Sequence, residues 1–252
     1  MTDANVTEQP AEPLSQGLVT DALFRPVRNG NAFEDTVARL LQTIRLGIVA
    51  PGEALPAERD LAARFSVSRD TVREAIRSLA DAGYLVSRRG RYGGTFVSDS
   101  LPAQGVPVSD ALAPTATEID DVLGLREILE PGAARAAAGR ALSAAERELL
   151  WTRLKETSAA DEGDYRRLDS RLHLTIGELA GIPSLVSLIA DNRTSITDLL
   201  DRIPSLGRNI VHSNEQHEAI VVAILTGDGD RASAAMLEHL AGSAALLRGF
   251  LA

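Results

Sequence analysis

The sequence contains no cysteine, and it has no apolar run long enough to cross a bilayer. Without cysteine the chain forms no disulfide bonds and offers no thiolate nucleophile, so any metal must be held by nitrogen and oxygen atoms. A membrane-spanning helix needs about 20 consecutive apolar residues, which excludes a membrane protein of that kind. The first residues, MTDANVTEQPAEPLSQG, lack the basic start and apolar core of a secretory signal. We therefore expect a cytoplasmic protein without a membrane partner.

What the chain does have is enough length for two domains and an uneven distribution of charge. Its 252 residues are 44% hydrophobic and 24% charged, as in globular proteins, and its net charge is −9. Residues 32–98, however, hold ten basic and eight acidic residues, and all ten basic residues are arginine. Arginine has a planar guanidinium group that suits phosphates and guanine edges. This basic segment inside an acidic protein predicts a nucleic-acid partner.

The pattern along the chain divides it into four segments. Residues 1–31 are rich in Pro, Glu and Gln and predict a mobile tail, whereas residues 99–116, with three prolines, predict a linker. Residues 117–252 follow helical periodicity throughout and predict an all-α bundle of about six helices. The expected helices cover residues 117–139, 143–161, 164–180, 184–202, 211–226 and 229–250.

Residues 32–98 predict a winged helix-turn-helix, so the whole chain is expected to be mainly α. One helix runs from Phe33 to Gly47, a short one follows Pro56, and a third begins after the N-cap Ser68. The stretches YLVSR and GTFVS then predict a β-hairpin, which would be the wing. In such domains the third helix enters the major groove of DNA with its N-terminal end.

Several arginines and small polar residues of this domain are candidates for DNA contact. Arg69, Thr71 and Arg73 lie at the start of the third helix, Arg59 lies at the start of the helix before it, and Arg89 with Gly90 lies at the wing tip. The alternative is that the arginines pair with neighbouring acids, for instance Arg73 with Asp70.

The bundle sequence contains a possible set of metal ligands. Asp169 and His173 lie one turn apart in DSRLH, a spacing that alone is typical of a solvated helix face. His217 and His239, however, each lie on an apolar helix face, and burying four titratable side chains without partners would cost ~1–3 kcal/mol per polar atom. One divalent ion would satisfy all four. Three imidazoles and one carboxylate suit Zn²⁺, our first expectation, or Ni²⁺, Mn²⁺ or Fe²⁺. His212 points away from His217 and is expected at the surface.

The N-terminal domain closely resembles the winged helix-turn-helix of the GntR family of bacterial transcriptional regulators. The resemblance lies in PGEALPAERDLA, VSRDTVREAIRSL and the glycine-containing wing before FV. It implies that Arg59, Arg69 and Arg73 contact bases or phosphates of an operator. It also implies that Ser68 and Thr71 contact the DNA backbone, and that Arg89 with Gly90 reaches the minor groove.

Residues 117–250 resemble the ligand-binding domain of the FadR-like branch of that family, known as FCD. The resemblance lies in LGLREILEPGAARAAA, DSRLHLTIGELAG and EQHEAIVVAILTGDGDRASAAMLEHL. It implies that Asp169, His173, His217 and His239 hold a divalent ion and that Arg126 is available to receive an acid. A surface ion pair between Arg126 and Glu130 is the alternative role for that arginine. The chain departs from the branch at GIPSL, where an asparagine often follows the glycine.

Together these features predict a metabolite-responsive regulator that is not an enzyme. We expect a repressor that binds double-stranded operator DNA as a homodimer and responds to a small carboxylate. Two alternatives keep the DNA-binding domain but make the metal purely structural or the signal itself. A metal-dependent hydrolase is a further alternative, but its possible bases, Glu130, Glu178 and Glu218, have no spacing that singles one out.

Overall fold

The computed structural model describes Phe24 and residues 32–88, 93–102, 114–203 and 207–251. The predictions made for Arg89 and Gly90, for most of the tail and for the centre of the linker lie outside these residues. Within them the chain is mainly α, as predicted, with one small hairpin.

The N-terminal domain contains three helices followed by the hairpin. They are α1 (Ala32–Arg45), α2 (Glu58–Phe65), α3 (Arg69–Asp81), β1 (Leu85–Arg88) and β2 (Gly94–Val97). The two strands pair antiparallel with Leu85 opposite Val97 and Arg88 opposite Gly94. Ser68 caps α3 by accepting a hydrogen bond from the Thr71 amide at 3.0 Å, as the sequence predicted. This order of elements confirms the winged helix-turn-helix.

The position of Phe24 differs from the prediction of a mobile tail. Its side chain is only 3% exposed and packs with the apolar core of the N-terminal domain. The ring lies 5.5 Å from that of Phe65, between centroids, and Arg64 lies 5.8 Å from the ring centroid. Aromatic contacts of this kind add to the free energy of area burial, so they hold Phe24 against the N-terminal domain.

The C-terminal domain is a helical bundle. Its helices are α4 (Ala116–Ala138), α5 (Ala144–Ser158), α6 (Glu162–Leu179), α7 (Pro183–Leu200), α8 (Gly207–Leu225) and α9 (Gly229–Leu251). Capping boxes at Thr115 and Ser143 fix the starts of α4 and α5. Helix α8 begins at Gly207, four residues before the predicted start. No described helix combines the length and apolar character needed to cross a membrane.

Two close contacts between helices position the inner face of the bundle. Ion pairs join Asp120 of α4 to Arg248 of α9 at one end and Arg135 to Asp230 at the other, so the two helices run antiparallel. Helices α6 and α7 approach closely at Gly177, where an added Cβ would lie 2.9 Å from Ile189 Cδ1. The four predicted metal ligands lie within this bundle, on α6, α8 and α9.

Candidate metal centre and nucleic-acid interface

The four predicted ligands come together in the bundle. Each of Asp169, His173, His217 and His239 offers a ligand atom, and these atoms all lie within 4.8 Å of one another. The Nε2 atom of His217 lies 3.3 Å from Nε2 of His173 and 3.3 Å from Nε2 of His239. The Oδ1 atom of Asp169 lies 3.2 Å from the same His217 nitrogen. Three imidazoles and a carboxylate therefore converge on one point.

The alternative of a solvated helix face for DSRLH is wrong. His173 is 2% exposed and Asp169 is 8% exposed, so both side chains turn into the bundle. The spacing of four residues places them on one face of α6, and His173 Nε2 lies 3.6 Å from Asp169 Oδ1. His212, in contrast, is exposed as predicted.

The outer nitrogens of two histidines bind acceptors that orient the inner nitrogens. His173 Nδ1 donates to Glu130 Oε2 at 2.5 Å, and His239 Nδ1 donates to Gln216 Oε1 at 3.3 Å. In a neutral imidazole the other nitrogen then carries a lone pair, so the Nε2 atoms of both rings face the cluster as acceptors. Carboxylate and amide partners of this kind commonly orient metal-binding histidines.

The ionisation of the cluster suits a cation. Burial lowers the pKa of His217 and lowers that of His239 well below its usual value, which favours neutral imidazoles. Burial alone would raise the pKa of Asp169, but the charge of Arg193 and the hydrogen bond from His217 hold this pKa well below its usual value. Neutral imidazoles and an ionised carboxylate are the forms that bind metals.

The spacing of the ligand atoms fits a zinc ion. Two nitrogens that each lie ~2.0–2.1 Å from one zinc ion are separated by about 2.9–3.4 Å for bond angles between the octahedral and tetrahedral values, a range that includes the two nitrogen distances above. His217 Nδ1 is buried and finds no hydrogen-bond partner among the described residues. The donor set therefore fits a divalent metal, with Asp169, His173, His217 and His239 as its ligands.

Two buried arginines lie beside the cluster. Arg126 is 2% exposed and binds Glu130 Oε1 through Nε at 3.0 Å and Ser243 Oγ through Nη1 at 2.8 Å. The predicted pair between Arg126 and Glu130 exists, but its placement at the surface was wrong. The side chain is covered because α4 packs along α9, which carries Ser243.

Arg193 on α7 was not identified from the sequence. It donates through Nη2 to Asp169 Oδ2 and, at 3.0 Å, to Ser170 Oγ. Its Nε and Nη1 atoms are buried and have no hydrogen-bond partner among the described residues, since Glu130 Oε1, at 3.9 Å from Nη1, is too distant. The sequence did contain a signal, because Arg193 lies within the apolar stripe of Val186, Ile189 and Ile196.

The predicted DNA-contacting residues of α2 and α3 lie at the surface of the N-terminal domain. Ser68, Arg69 and Arg73 are exposed and Thr71 is half-buried at the start of α3, and Arg59 is 80% exposed. Ser68 Oγ and Thr71 Oγ1 lie 2.8 Å apart, so these two hydroxyls hold the first turn together. This is the end that a recognition helix presents to the major groove.

Two of these arginines also take part in ion pairs. Arg73 binds Asp70 at 3.0 Å, as the sequence suggested, and Glu58 at 3.1 Å, whereas Arg59 binds Asp60 at 3.2 Å. All are exposed pairs, which contribute little stability and exchange readily for phosphate contacts. The pairs therefore leave the arginines available to DNA.

A winged helix-turn-helix joined to a ligand-binding bundle defines a DNA-binding transcriptional regulator, and comparison with known proteins agrees. Residues 33–97 match the sequence family described as bacterial regulatory proteins, gntR family, and residues 121–242 match the FCD domain. The chain belongs to the GntR family of transcriptional regulators, with an FCD domain at its C-terminal end. Its relatives are regulators and not enzymes.

Three proteins are similar to this chain over most of its length. The putative L-lactate dehydrogenase operon regulatory protein of Escherichia coli K12 is 31% identical over 224 residues, covering 85% of this chain and 84% of that protein. The transcriptional regulator LutR of Bacillus subtilis is 28% identical, with 82% and 97% covered. The solved structure of E. coli McbR/YncC, 18% identical with a TM-score of 0.54, covers 86% of this chain and 97% of its own and shares the fold.

Proposed function

We propose that this regulator is a cytoplasmic, metabolite-responsive repressor that acts as a homodimer and whose bundle binds a divalent metal, zinc first, together with a small carboxylate. The observation that carries the proposal is the convergence of four buried ligand atoms within 4.8 Å of one another. A buried polar cluster is costly unless every member is satisfied, and one cation bound to all four ligands satisfies them.

The charge balance around the cluster supports an anionic effector. The buried charges are two carboxylates, Asp169 and Glu130, and two guanidiniums, Arg126 and Arg193, and they cancel. A divalent ion adds two positive charges to this neutral set. A charge of this size in a buried site favours an anion as the next ligand, and a six-coordinate metal held by the four protein ligands keeps two positions that can accept a carboxylate.

The arginines give such an acid a second point of attachment. Arg193 has two buried nitrogens, Nε and Nη1, without hydrogen-bond partners in the described part of the chain. A guanidinium nitrogen without a partner can donate a charge-assisted hydrogen bond to a carboxylate, which is stronger than a hydrogen bond between neutral groups. Arg126, the residue assigned to the effector from the sequence, already binds Glu130 and Ser243. We therefore assign the first contact with the acid to Arg193 and a supporting role to Arg126.

The names of relatives suggest which acids to test first. The E. coli relative is named for an L-lactate dehydrogenase operon. L-Lactate is a small 2-hydroxy acid whose carboxylate and hydroxyl can both bind one metal ion. It is the first compound to test, with other short hydroxy and keto acids beside it.

An exposed apolar face supports the homodimer. On α4, Leu125 and Ile128 are exposed, and on the adjacent α9 Leu237 is exposed as well. Nothing lies within 4 Å of a Cβ built at Gly132 of α4, so a partner helix can approach closely there. A twofold interface of α4 and α9 would cover these residues and place two wings on a two-fold-related operator.

The test is elemental analysis of the purified protein and of its His217→Ala and His239→Ala variants, with bound small molecules extracted from the same samples. The proposal expects about one divalent ion per chain, lost in both variants, and a carboxylate in the wild-type extract. If the protein binds metal but no acid changes its affinity for the operator, the result favours a metal that is structural or is itself the signal. No metal under any loading condition would refute the metal site and leave the DNA-binding function alone.

A further inference from the structure

The N-terminal domain contacts the bundle along the second half of α1, and the contacts fall on one side of α7. Gln42 is the central residue and is buried. Its Nε2 atom donates to Thr194 Oγ1 at 2.9 Å and lies 3.3 Å from the carbonyl oxygen of Ala190. A buried amide that finds acceptors on α7 ties α1 to one position along that helix, because a shift would leave polar atoms unpaired.

Ion pairs lie on both sides of this glutamine. Arg39 Nη1 binds Asp191 Oδ1 at 3.1 Å, and Arg45 Nη1 binds Asp198 Oδ1 at 2.6 Å. All the positive charges lie on α1 and all the negative charges lie on α7, so the two surfaces are complementary. We call the contacts of Arg39, Gln42 and Arg45 with α7 the α1–α7 junction.

Apolar packing continues from the end of α1 into the bundle. Leu46 and Ile48, which follow α1 directly, are buried in the hydrophobic core of the C-terminal domain. Gly47 between them has φ 66° and lies against Arg167 of α6. The polar contacts of the α1–α7 junction and the apolar packing of Leu46 and Ile48 together fix the DNA-binding domain on the bundle. A movement of α7 must therefore move or release α1.

The inner side of α7 faces the candidate metal centre. Residues 191, 194 and 198 are spaced by three and four and share the outer face of the helix, whereas Arg193 points inward. Arg193 donates to Asp169 Oδ2, while the other oxygen of Asp169, Oδ1, faces the histidines. Asp169 is therefore shared between the ligand cluster and α7.

We propose that α7 couples the ligand site to the DNA-binding domain, with Arg193 as the positioning residue on its inner side and the α1–α7 junction on its outer side. A metal ion bound to Asp169 neutralises part of the negative charge that holds Arg193. An acid bound to Arg193 competes with Asp169 for the guanidinium group. Either change alters how firmly α7 is held and thereby biases the position of α1. The response of this coupling to metal or acid rests on the proposed function, but the link between Arg193 and α1 is a property of the metal-free chain.

The first experiment measures backbone hydrogen exchange by mass spectrometry on the full-length, metal-free protein. Arg193→Met removes the contact with Asp169 but touches no residue of α1. We expect amide exchange in residues 39–48 to become roughly tenfold faster, as for a locally loosened segment, while exchange in α3 stays unchanged. The matched control is Asn192→Leu, which removes a buried hydrogen bond from α7 to the Val122 carbonyl oxygen but leaves Asp169 untouched. The proposal would be overturned if the exchange rate of α1 in Arg193→Met equals that of the wild type. It would also be overturned if Asn192→Leu raises this rate as much as Arg193→Met does.

The second experiment tests the same link from the other end, because Arg193→Met leaves Asp169 without its counter-charge and can unfold the bundle. Gln42→Leu keeps the size of the side chain but removes the hydrogen bonds to α7. Coupling between sites is reciprocal, so exchange in the Asp169 and Arg193 regions should rise severalfold. Thr43→Val is the control, since among the described residues this buried hydroxyl binds the Arg39 carbonyl oxygen within α1 and no atom of α7. Unchanged exchange around Asp169 in Gln42→Leu would refute the coupling.

Adding zinc to the wild-type protein separates the coupling from the proposed function. Slower exchange in α6 together with altered exchange in residues 39–48 supports the coupling, and slower exchange in α6 alone contradicts it. A lack of any zinc effect in α6 counts against the metal site, while the two metal-free experiments still decide whether Arg193 and α1 are linked.

Discussion

Glu130 Oε2 accepts a hydrogen bond from His173 Nδ1 at 2.5 Å, while its other oxygen, Oε1, lies 3.0 Å from Arg126 Nε. One buried carboxylate on α4 thus joins a predicted metal ligand to a buried arginine. Burial would raise the pKa of Glu130, but the charge of Arg126 and the hydrogen bond from His173 lower it overall, so the group stays ionised. An ionised Glu130 holds the His173 ring with Nε2 directed at the cluster.

This relationship predicts that Glu130→Gln weakens metal binding without removing a ligand. Loss of a carboxylate that orients a metal-binding histidine typically lowers metal affinity about 10- to 100-fold. Competition with a chromophoric chelator would measure the zinc affinity of the variant. The matched control is Glu127→Gln, an exposed residue on the same helix, which should keep wild-type affinity. Equal affinities for Glu130→Gln and wild type would contradict the orienting role.

The lowered pKa values of His217 and His239 predict a pH dependence of stability in the metal-free protein. Because their pKa values are lower in the folded state than the ordinary 6.5, the unfolded chain binds more protons below that pH. Stability is therefore fully present above about pH 6.5 and is lost as the pH falls below it. The loss amounts to at most ~1.4 kcal/mol per pH unit for each histidine.

Urea unfolding of metal-free protein between pH 7.5 and 5 would measure this loss. The window lies above the ordinary carboxyl pKa values, so the slope reports on histidines. His239→Gln should flatten the dependence, and His212→Gln, at an exposed position, should leave it unchanged. A slope that is the same in wild type and His239→Gln would show that this histidine does not lose its proton on folding.

The surface at the start of α3 predicts distinct effects of arginine substitutions on DNA binding. Arg69→Ala and Arg59→Ala should each weaken binding to the operator by ~1–3 kcal/mol if the side chain reads a base. The operator would first be selected from a random DNA pool and the affinities then measured at fixed salt. Arg231→Ala, an exposed arginine on the bundle, serves as the control. Equal losses on operator and random DNA would identify phosphate contacts instead.

The winged domain and the burial of His217 and His239 could be predicted because local sequence carries them. A histidine inside an apolar stripe, such as His217 before Ile220 and Val221, signals burial of a polar group whatever the fold. The N-cap at Ser68 and the wing strands follow equally from short-range rules.

The partners of these residues could not be predicted, since they depend on how helices distant in sequence pack. Arg126 and Glu130 are an ordinary i,i+4 pair until α9 covers them, and Arg193 meets Asp169 only because α6 and α7 approach closely at Gly177. The same limit applies to the α1–α7 junction, where Gln42 and Thr194 lie 152 residues apart in the chain.

The exposed face of α4 predicts that one substitution separates the proposed dimer. The large apolar side chain of Ile128 is 74% exposed. Its exposure to water is unfavourable in free energy, and burial in an interface would remove this penalty. Ile128→Asp places a charge at that position and should shift the protein to monomers in sedimentation or light-scattering measurements at micromolar concentration. The monomer should still unfold cooperatively, because Ile128 contributes little to the core of the single chain, while the loss of dimerisation itself lowers the unfolding temperature.

The matched control for this substitution is Val211→Asp, at a position 61% exposed on α8. Val211→Asp should leave the oligomeric state unchanged, since α8 lies outside the proposed interface. Dimers that persist in Ile128→Asp would place the interface elsewhere on the molecule. If monomers do form, operator affinity should fall together with dimer content, because two half-sites held by one dimer bind more tightly than either wing alone.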